Sequence, residues 1–179
     1  MRIGLPAALV VCSCISATAC SAAQKPQPPK GTPVLTISGK VENSPFVYGT
    51  DDLADLPQRT FRAVDPRIER EVEFSGVSIG ELIDKLTLAK TADTAVLRSR
   101  EGIDVAIPVI RLKVHKPVLA TKMDGAPLPP ELGMPYAAWP NIDDPGLDTD
   151  PRVRPWWWLQ NVTTIEVVSS SRVKPPARR

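Results

Sequence analysis

Two clusters of acidic residues are candidates for metal binding or acid–base chemistry. The first contains Glu69, Glu71 and Glu73, which alternate along one predicted strand and so share a face that could hold a hard cation. Arg59 and Arg62, on the preceding predicted strand, offer opposite charges across the strand pair. We therefore expect this cluster to be a solvated, ion-paired sheet face.

The second cluster lies in a long polar loop over residues 141–155. Its members are Asp143, Asp144, Asp148 and Asp150. A calcium loop would need acidic or amide side chains at alternate positions before a glycine, and two prolines in this loop restrict its wrapping. An exposed acidic loop is the expectation, and a hydrolase or metal-binding domain that uses these carboxylates is the alternative.

Aromatic residues near the same loop could recognise a ligand or a partner protein. Three tryptophans are consecutive at residues 156–158, and alternate side chains of an extended chain point to opposite sides, so at least one indole should lie near the surface. Tryptophan and arginine are over-represented at binding hot spots. The sequence therefore predicts a ligand or partner surface here, unless the exposed indole only covers the loop. Its candidate residues are Tyr136, Trp139, Arg154, Trp156 and Trp157.

The amino-terminal segment has the features of an export signal. The apolar run Leu5–Ile15 is too short to span a bilayer, and small-x-small cleavage motifs follow it. We predict that residues 1–23 form a signal peptide and that the protein is periplasmic or secreted. The alternative is lipoprotein processing at Cys20, which would attach the protein to a membrane.

Cysteine and histidine usage limits the chemistry of the exported chain. All three cysteines, Cys12, Cys14 and Cys20, lie in the predicted leader, and the sequence has a single histidine, His115, for which a surface or capping position is expected. Removal of the leader would therefore exclude thiolate chemistry, disulfides and metal sites rich in cysteine or histidine. A net charge of +2 is too small to indicate a nucleic-acid-binding protein.

The clearest local signal for structure lies between Phe74 and Leu86. Ser78 and Glu81 form an S-x-x-E capping box, and an apolar stripe at helical spacing follows. This pattern predicts a strand that ends at Phe74, a turn at Gly76 and a short helix that packs back on a sheet. Elsewhere, Thr50 is expected to cap a short helix, and residues 109–114 fit either a helix or a strand. The other predicted strands cover residues 34–41, 58–64, 68–74, 94–100, 103–107, 118–123, 136–139 and 159–168.

These elements predict one domain with short extensions. Residues 1–23 are the signal peptide, residues 24–33 a proline-rich linker, residues 34–168 the folded domain and residues 169–179 a disordered basic tail.

Five segments, taken in order, resemble the oxidoreductase molybdopterin-binding domain, the central fold of the sulfite oxidase superfamily. They are Leu35–Asn43, Asp52–Pro57, Phe74–Ile83, Asp124–Pro129 and Trp158–Val167. The resemblance implies a mixed α+β fold, built from bent, mainly antiparallel sheets with a few short helices.

The resemblance also locates the position of the metal ligand. In the catalytic members of that family, a cysteine thiolate between the second strand and the F-x-G segment binds molybdenum. Here the matching stretch is Val64–Arg70, where Asp65 and Arg67 stand and no cysteine occurs. A carboxylate could ligate molybdenum, but it cannot replace a soft thiolate in kind.

We therefore expect a small exported member of this family that has lost its metal ligand. The expected function is that of a cofactor-free binding or accessory module, without enzymatic activity, that recognises a small ligand or a periplasmic or membrane protein. The alternative is a molybdopterin-dependent oxidoreductase with an atypical molybdenum ligand.

Overall fold

The computed structural model describes residues 27–144, 146–149 and 157–172. The predicted signal peptide with Cys20, the candidate residues Arg154 and Trp156, and the end of the basic tail lie outside these ranges. Within them the chain forms ten strands and four short α-helices. The strands are β1 (Pro33–Gly39), β2 (Phe46–Gly49), β3 (Gln58–Asp65), β4 (Arg70–Ser78), β5 (Thr94–Ser99), β6 (Asp104–Pro108), β7 (Val118–Met123), β8 (Ala126–Pro127), β9 (Tyr136–Ala138) and β10 (Val162–Val168). The helices are α1 (Thr50–Asp55), α2 (Ile79–Asp84), α3 (Val109–His115) and α4 (Gly146–Thr149).

The first sheet has the strand order β2-β1-β10-β5-β6. Its strands are antiparallel to their neighbours except at its centre, where β1 and β10 pair in parallel. Leu35 and Ile37 on β1, Leu97 on β5 and Ile165 on β10 are fully or almost fully buried. Because side chains alternate between the faces of a strand, these residues give the sheet one apolar face that packs into the core.

The second sheet has the order β3-β4-β7-β8, and β9 also pairs with β7. All of its pairings are antiparallel. Val72 and Phe74 on β4 face the core, and Glu71 and Glu73 alternate with them on the exposed face. Glu71 pairs with Arg62 across the strands at 2.6 Å, as predicted, whereas Arg59 donates to the backbone oxygen of Lys116 and pairs with none of these glutamates in the described ranges. Glu69 does not share that face, because it lies in the turn before β4 with a positive φ of 51°.

The predicted turn at Gly76 is wrong, because β4 continues through this residue to Ser78. A Cβ atom at Gly76 would lie 2.0 Å from the backbone oxygen of Leu119 on β7. Glycine is therefore required here by close approach of two strands, at the point where the β4–β7 register shifts. The predicted cap is confirmed, since the Ser78 hydroxyl accepts a hydrogen bond from the Glu81 backbone N–H at 3.4 Å.

Three other local predictions are resolved by the structure. The N-cap of α1 is Gly49 rather than Thr50, and the carboxylate of Asp52 accepts the Gly49 N–H at 2.9 Å. The ambiguous segment after Pro108 is helix α3. The start of the predicted disordered tail is ordered, because Asp93 accepts hydrogen bonds from the backbone N–H and the hydroxyl of Ser170. None of the helices in the described ranges is long and apolar enough to cross a membrane.

The close approach at Gly76 predicts that Gly76→Ala destabilises the fold by about 3 kcal/mol, because neither backbone at the contact can give way without moving a strand. Gly125→Ala is the control, since Gly125 has a φ of +78° but nothing within 4 Å of its missing Cβ atom. That variant should lose only about 1 kcal/mol, the cost of a left-handed conformation. Urea unfolding measures both losses, and an equal loss in the two variants would contradict the close-approach explanation.

The carboxylates that accept backbone hydrogen bonds predict acid-sensitive stability. The backbone N–H groups of Gly49 and Lys30 hold the pKa of Asp52 below its ordinary value. The backbone N–H of Glu73 does the same for the pKa of Asp124. Because both folded pKa values are depressed, their contribution is present above the unfolded value of about 4 and is lost as pH falls through the folded values. Urea unfolding between pH 6 and 2 should therefore show a smaller acid loss for Asp52→Asn than for the wild type, and parallel curves would contradict this.

Candidate functional site

The candidate site is built around Asp65, the last residue of β3. Its side chain has no exposed surface. Oδ1 accepts the backbone N–H of Arg67 at 2.7 Å and that of Ile68 at 3.4 Å, so the carboxylate organises the turn that leads to β4. Oδ2 accepts the hydroxyl of Tyr136 at 2.8 Å. Both oxygens of this buried carboxylate are therefore engaged by the protein itself.

Tyr136 reaches Asp65 from the first position of β9. Its ring is fully buried and lies 5.7 Å from the ring of Phe74 and 6.1 Å from that of Trp158. Burial raises the pKa of the Tyr136 hydroxyl far above its ordinary value, and the nearby charge of Asp65 raises it further. The phenol therefore stays protonated and remains a hydrogen-bond donor to the carboxylate.

Two further side chains tie the same region to distant parts of the chain. The amide of Asn141 brackets the backbone of Val64: its Oδ1 accepts the Val64 N–H at 2.9 Å, and its Nδ2 donates to the Val64 carbonyl at 3.0 Å. Arg67 donates from Nη2 to the backbone oxygen of Trp158 at 3.3 Å. We call the three ties, Asp65–Tyr136, Val64–Asn141 and Arg67–Trp158, the β3 closure.

Comparison with known proteins identifies the domain that carries this site. Residues 65–138 match the family model described as the oxidoreductase molybdopterin binding domain. This part of the chain is therefore similar to the molybdopterin-binding domains of oxidoreductases. The match begins at Asp65, the residue around which the site is built.

Structural comparison gives the same result for the fold. The sulfane dehydrogenase SoxCD from Paracoccus pantotrophus is similar to this chain, with a TM-score of 0.59 and 17% sequence identity over 76% of this chain and 38% of that chain. The predicted fold class, a mixed α+β fold of the sulfite oxidase type with mainly antiparallel sheets, is confirmed. No curated protein matches this chain.

The residues at the position of the family's metal ligand do not fit a molybdenum centre. A ligand needs an open position beside its donor atom, whereas the Asp65 side chain is enclosed and both of its oxygens already accept hydrogen bonds. Arg67 turns its guanidinium to the Trp158 carbonyl. In the part of the chain that the structure describes, no group of three or more histidine, cysteine, aspartate or glutamate side chains could hold a metal ion.

The predicted ligand surface is wrong for three of its five residues. Tyr136, Trp139 and Trp157 are 0%, 1% and 5% exposed, so they belong to the core of the domain. Trp157 and Trp158 are both buried. The expected alternation of faces does not apply to them, because they precede β10, which begins at Val162. The indole N–H of Trp139 donates to the Trp157 carbonyl at 3.1 Å. Arg154 and Trp156 lie outside the described residues.

The single histidine, His115, is buried and contacts Asp144 in the loop after β9. His115 ends α3, is 8% exposed and lies 2.6 Å from a carboxylate oxygen of Asp144 through Nδ1. Its Nε2 faces the guanidinium of Arg111 at 3.4 Å. Because a guanidinium only donates, the contact assigns the acceptor role to Nε2 and places the proton on Nδ1, toward Asp144. Sequence reasoning missed this pair because 29 positions separate the two residues.

The raised pKa of Tyr136 predicts that this phenol does not ionise in the folded protein. The sequence contains two tyrosines, and burial also raises the pKa of the second, Tyr48. Alkaline difference absorbance at pH 10 should therefore show little tyrosinate before unfolding and about half of each phenol ionised after unfolding in urea, because an unfolded tyrosine has a pKa of about 10. Because the folded pKa is raised, this stabilising contribution is present below about pH 10 and is lost above it. If Tyr136→Phe removes the ionisation step that occurs at the lowest pH in the folded protein, the raised pKa of Tyr136 is contradicted.

Proposed function

We propose that this chain is an exported, cofactor-free binding or accessory module on the molybdopterin-binding oxidoreductase fold. The observation that carries the proposal is the enclosed carboxylate of Asp65, which stands where the resemblance places the metal-binding cysteine of the enzymes. Its two oxygens serve a turn and Tyr136, and its side chain has no exposed surface, which leaves no open position for molybdenum beside it. A small ligand or a periplasmic or membrane protein is the expected partner.

The distribution of sulfur supports the same proposal. The last cysteine of the sequence is Cys20, which is 45 positions before Asp65 and lies in the predicted leader. Molybdenum in the sulfite oxidase centre is held by a soft thiolate, and a carboxylate is a hard ligand with different electronic properties. A metal at Asp65 would compete with the Tyr136 hydroxyl for the carboxylate, and displacement of that hydroxyl would leave a buried donor without a partner.

Export remains part of the proposal and rests on the leader-like residues 1–23. Cleavage after the small residues would release the domain into the periplasm or medium, and processing at Cys20 would attach it to a membrane through lipid. Mass spectrometry of the exported protein distinguishes these two routes by the identity of its first residue and by an added lipid mass.

Metal and pterin analysis tests the cofactor-free state directly. In this experiment, the protein is expressed with its leader in a host that makes the molybdopterin cofactor. An enzyme with a sulfite-oxidase-type fold and a metal-binding cysteine, expressed in the same host, is the control for cofactor loading. We expect molybdenum and pterin at less than about one tenth of the loaded control in this chain, because Asp65 is closed to the metal. One molybdenum atom per chain would overturn the proposal and favour the alternative, an oxidoreductase with an atypical ligand.

The partner surface is proposed on the two candidate residues outside the described ranges, Arg154 and Trp156. Co-purification of the exported protein from its native periplasm compares the wild type with Trp156→Ala. Ile103→Ala is the matched control, since Ile103 is 50% exposed before β6 and lies outside the proposed surface. A partner retained by the wild type and the control but lost from Trp156→Ala is expected, and equal recovery from all three proteins would contradict the proposed surface.

A further inference from the structure

The β3 closure joins parts of the second sheet that its backbone hydrogen bonds leave separate. β3 lies at one edge of the sheet, next to β4, whereas β9 pairs with β7 on the far side. The Tyr136 hydroxyl on β9 nevertheless reaches Asp65 at the end of β3, across 71 positions in sequence. The sheet is therefore curled until its two ends meet, and side chains make the contact between them.

The side chain of Asn141 makes the pair of hydrogen bonds to β3 that a neighbouring strand would make. The residue follows β9, and its amide supplies one acceptor and one donor to the N–H and C=O of Val64. A neighbouring strand would supply the same pair of groups to an edge residue. Arg67 adds a contact to Trp158, and the next residue, Leu159, forms a backbone bridge to Ala137 of β9. Strand β9, Asn141 and the Trp158–Leu159 segment therefore converge on the end of β3.

We infer that Asp65 holds the two ends of this curled sheet together through its hydrogen bonds. The position that binds the metal in the family's enzymes is here occupied by a buried hydrogen-bonded contact between β3 and β9. This inference rests on the proposed function, because a contact of this kind is incompatible with a metal at the same carboxylate. It goes further, because it assigns Asp65, Tyr136 and Asn141 a common role as positioning residues. In that role the three ties open and close together.

A shared role follows from the way each tie depends on the others. Loss of the Tyr136 hydroxyl leaves one oxygen of a fully buried carboxylate without a donor. Loss of the carboxylate leaves the hydroxyl and the backbone N–H of Arg67 without an acceptor. The turn after β3 can then separate from β9. The hydrogen bonds between the Val64 backbone and the Asn141 amide would break at the same time.

A double-mutant cycle tests whether Asp65 and Tyr136 act as one unit. Tyr136→Phe and Asp65→Asn should each raise the unfolding equilibrium constant about 10- to 100-fold, and the double variant should fall well short of the product of the two. The matched control is the exposed hydroxyl pair of Thr60 and Ser75 on β3 and β4, 2.8 Å apart, whose alanine variants should change the constant less than about threefold. Effects of Asp65→Asn and Tyr136→Phe that multiply to within about twofold would overturn the inference.

Amide hydrogen exchange in Tyr136→Phe tests whether the ties open together, which a loss of global stability alone would not show. The Val64 N–H is bonded to Asn141 and does not touch Tyr136. We expect its exchange, and that of the Arg67 N–H, to become at least about tenfold faster, with little change at Ile37 in the first sheet. Unchanged exchange at Val64, or equal acceleration at Ile37, would overturn the closure. Molybdenum bound to the wild type would overturn the proposed function and the closure with it, whereas unchanged exchange at Val64 in a metal-free chain would overturn the closure alone.

Discussion

A buried carboxylate has to be supplied with donors, and the arrangement of the second sheet follows from how this is done at Asp65. Two donors come from the backbone of the turn that Asp65 begins, and the third comes from a phenol on β9. A buried carboxylate oxygen without a donor costs free energy, so the fold is more stable when β9 stands beside the end of β3. The rings of Phe74 and Trp158 enclose Tyr136 and exclude water from the bond.

The loop after β9 extends this constraint to the helices. Asn141 holds its beginning to the end of β3, and Asp144, three residues later, holds it to His115 at the end of α3. Arg59 on β3 donates to the backbone oxygen of Lys116, which follows α3. The end of α3 and both ends of β3 therefore form one connected unit, in which polar side chains replace the backbone pairing that a regular sheet would use.

The sequence predicted the elements that depend on near neighbours and missed those that depend on distant ones. Ser78 and Glu81 are three residues apart, so the capping box is visible in the sequence and is confirmed in the structure. Gly76 was misread because glycine serves both turns and close strand contacts, and only the position of Leu119 distinguishes them. The order of family segments predicted the fold class, which requires no knowledge of individual contacts.

The candidate site shows the same division. Asp65 and Arg67 were found by their place in the family pattern, but their partners Tyr136 and Trp158 lie 71 and 91 positions away, and no local pattern joins them. Tyr136 and Trp139 were predicted at a binding surface from residue type alone. Aromatic rings with one polar atom serve equally in a core when that atom finds an acceptor, as both do here.

The parallel pairing of β1 with β10 has a consequence for the order in which the chain acquires structure. The last strand of the domain lies between the first strand and β5, at the centre of its sheet. While a ribosome is still making residues 162–168, Leu35 and Leu97 have no strand between them and their apolar faces stay uncovered. The first sheet therefore remains incomplete until residues 162–168 have been synthesised.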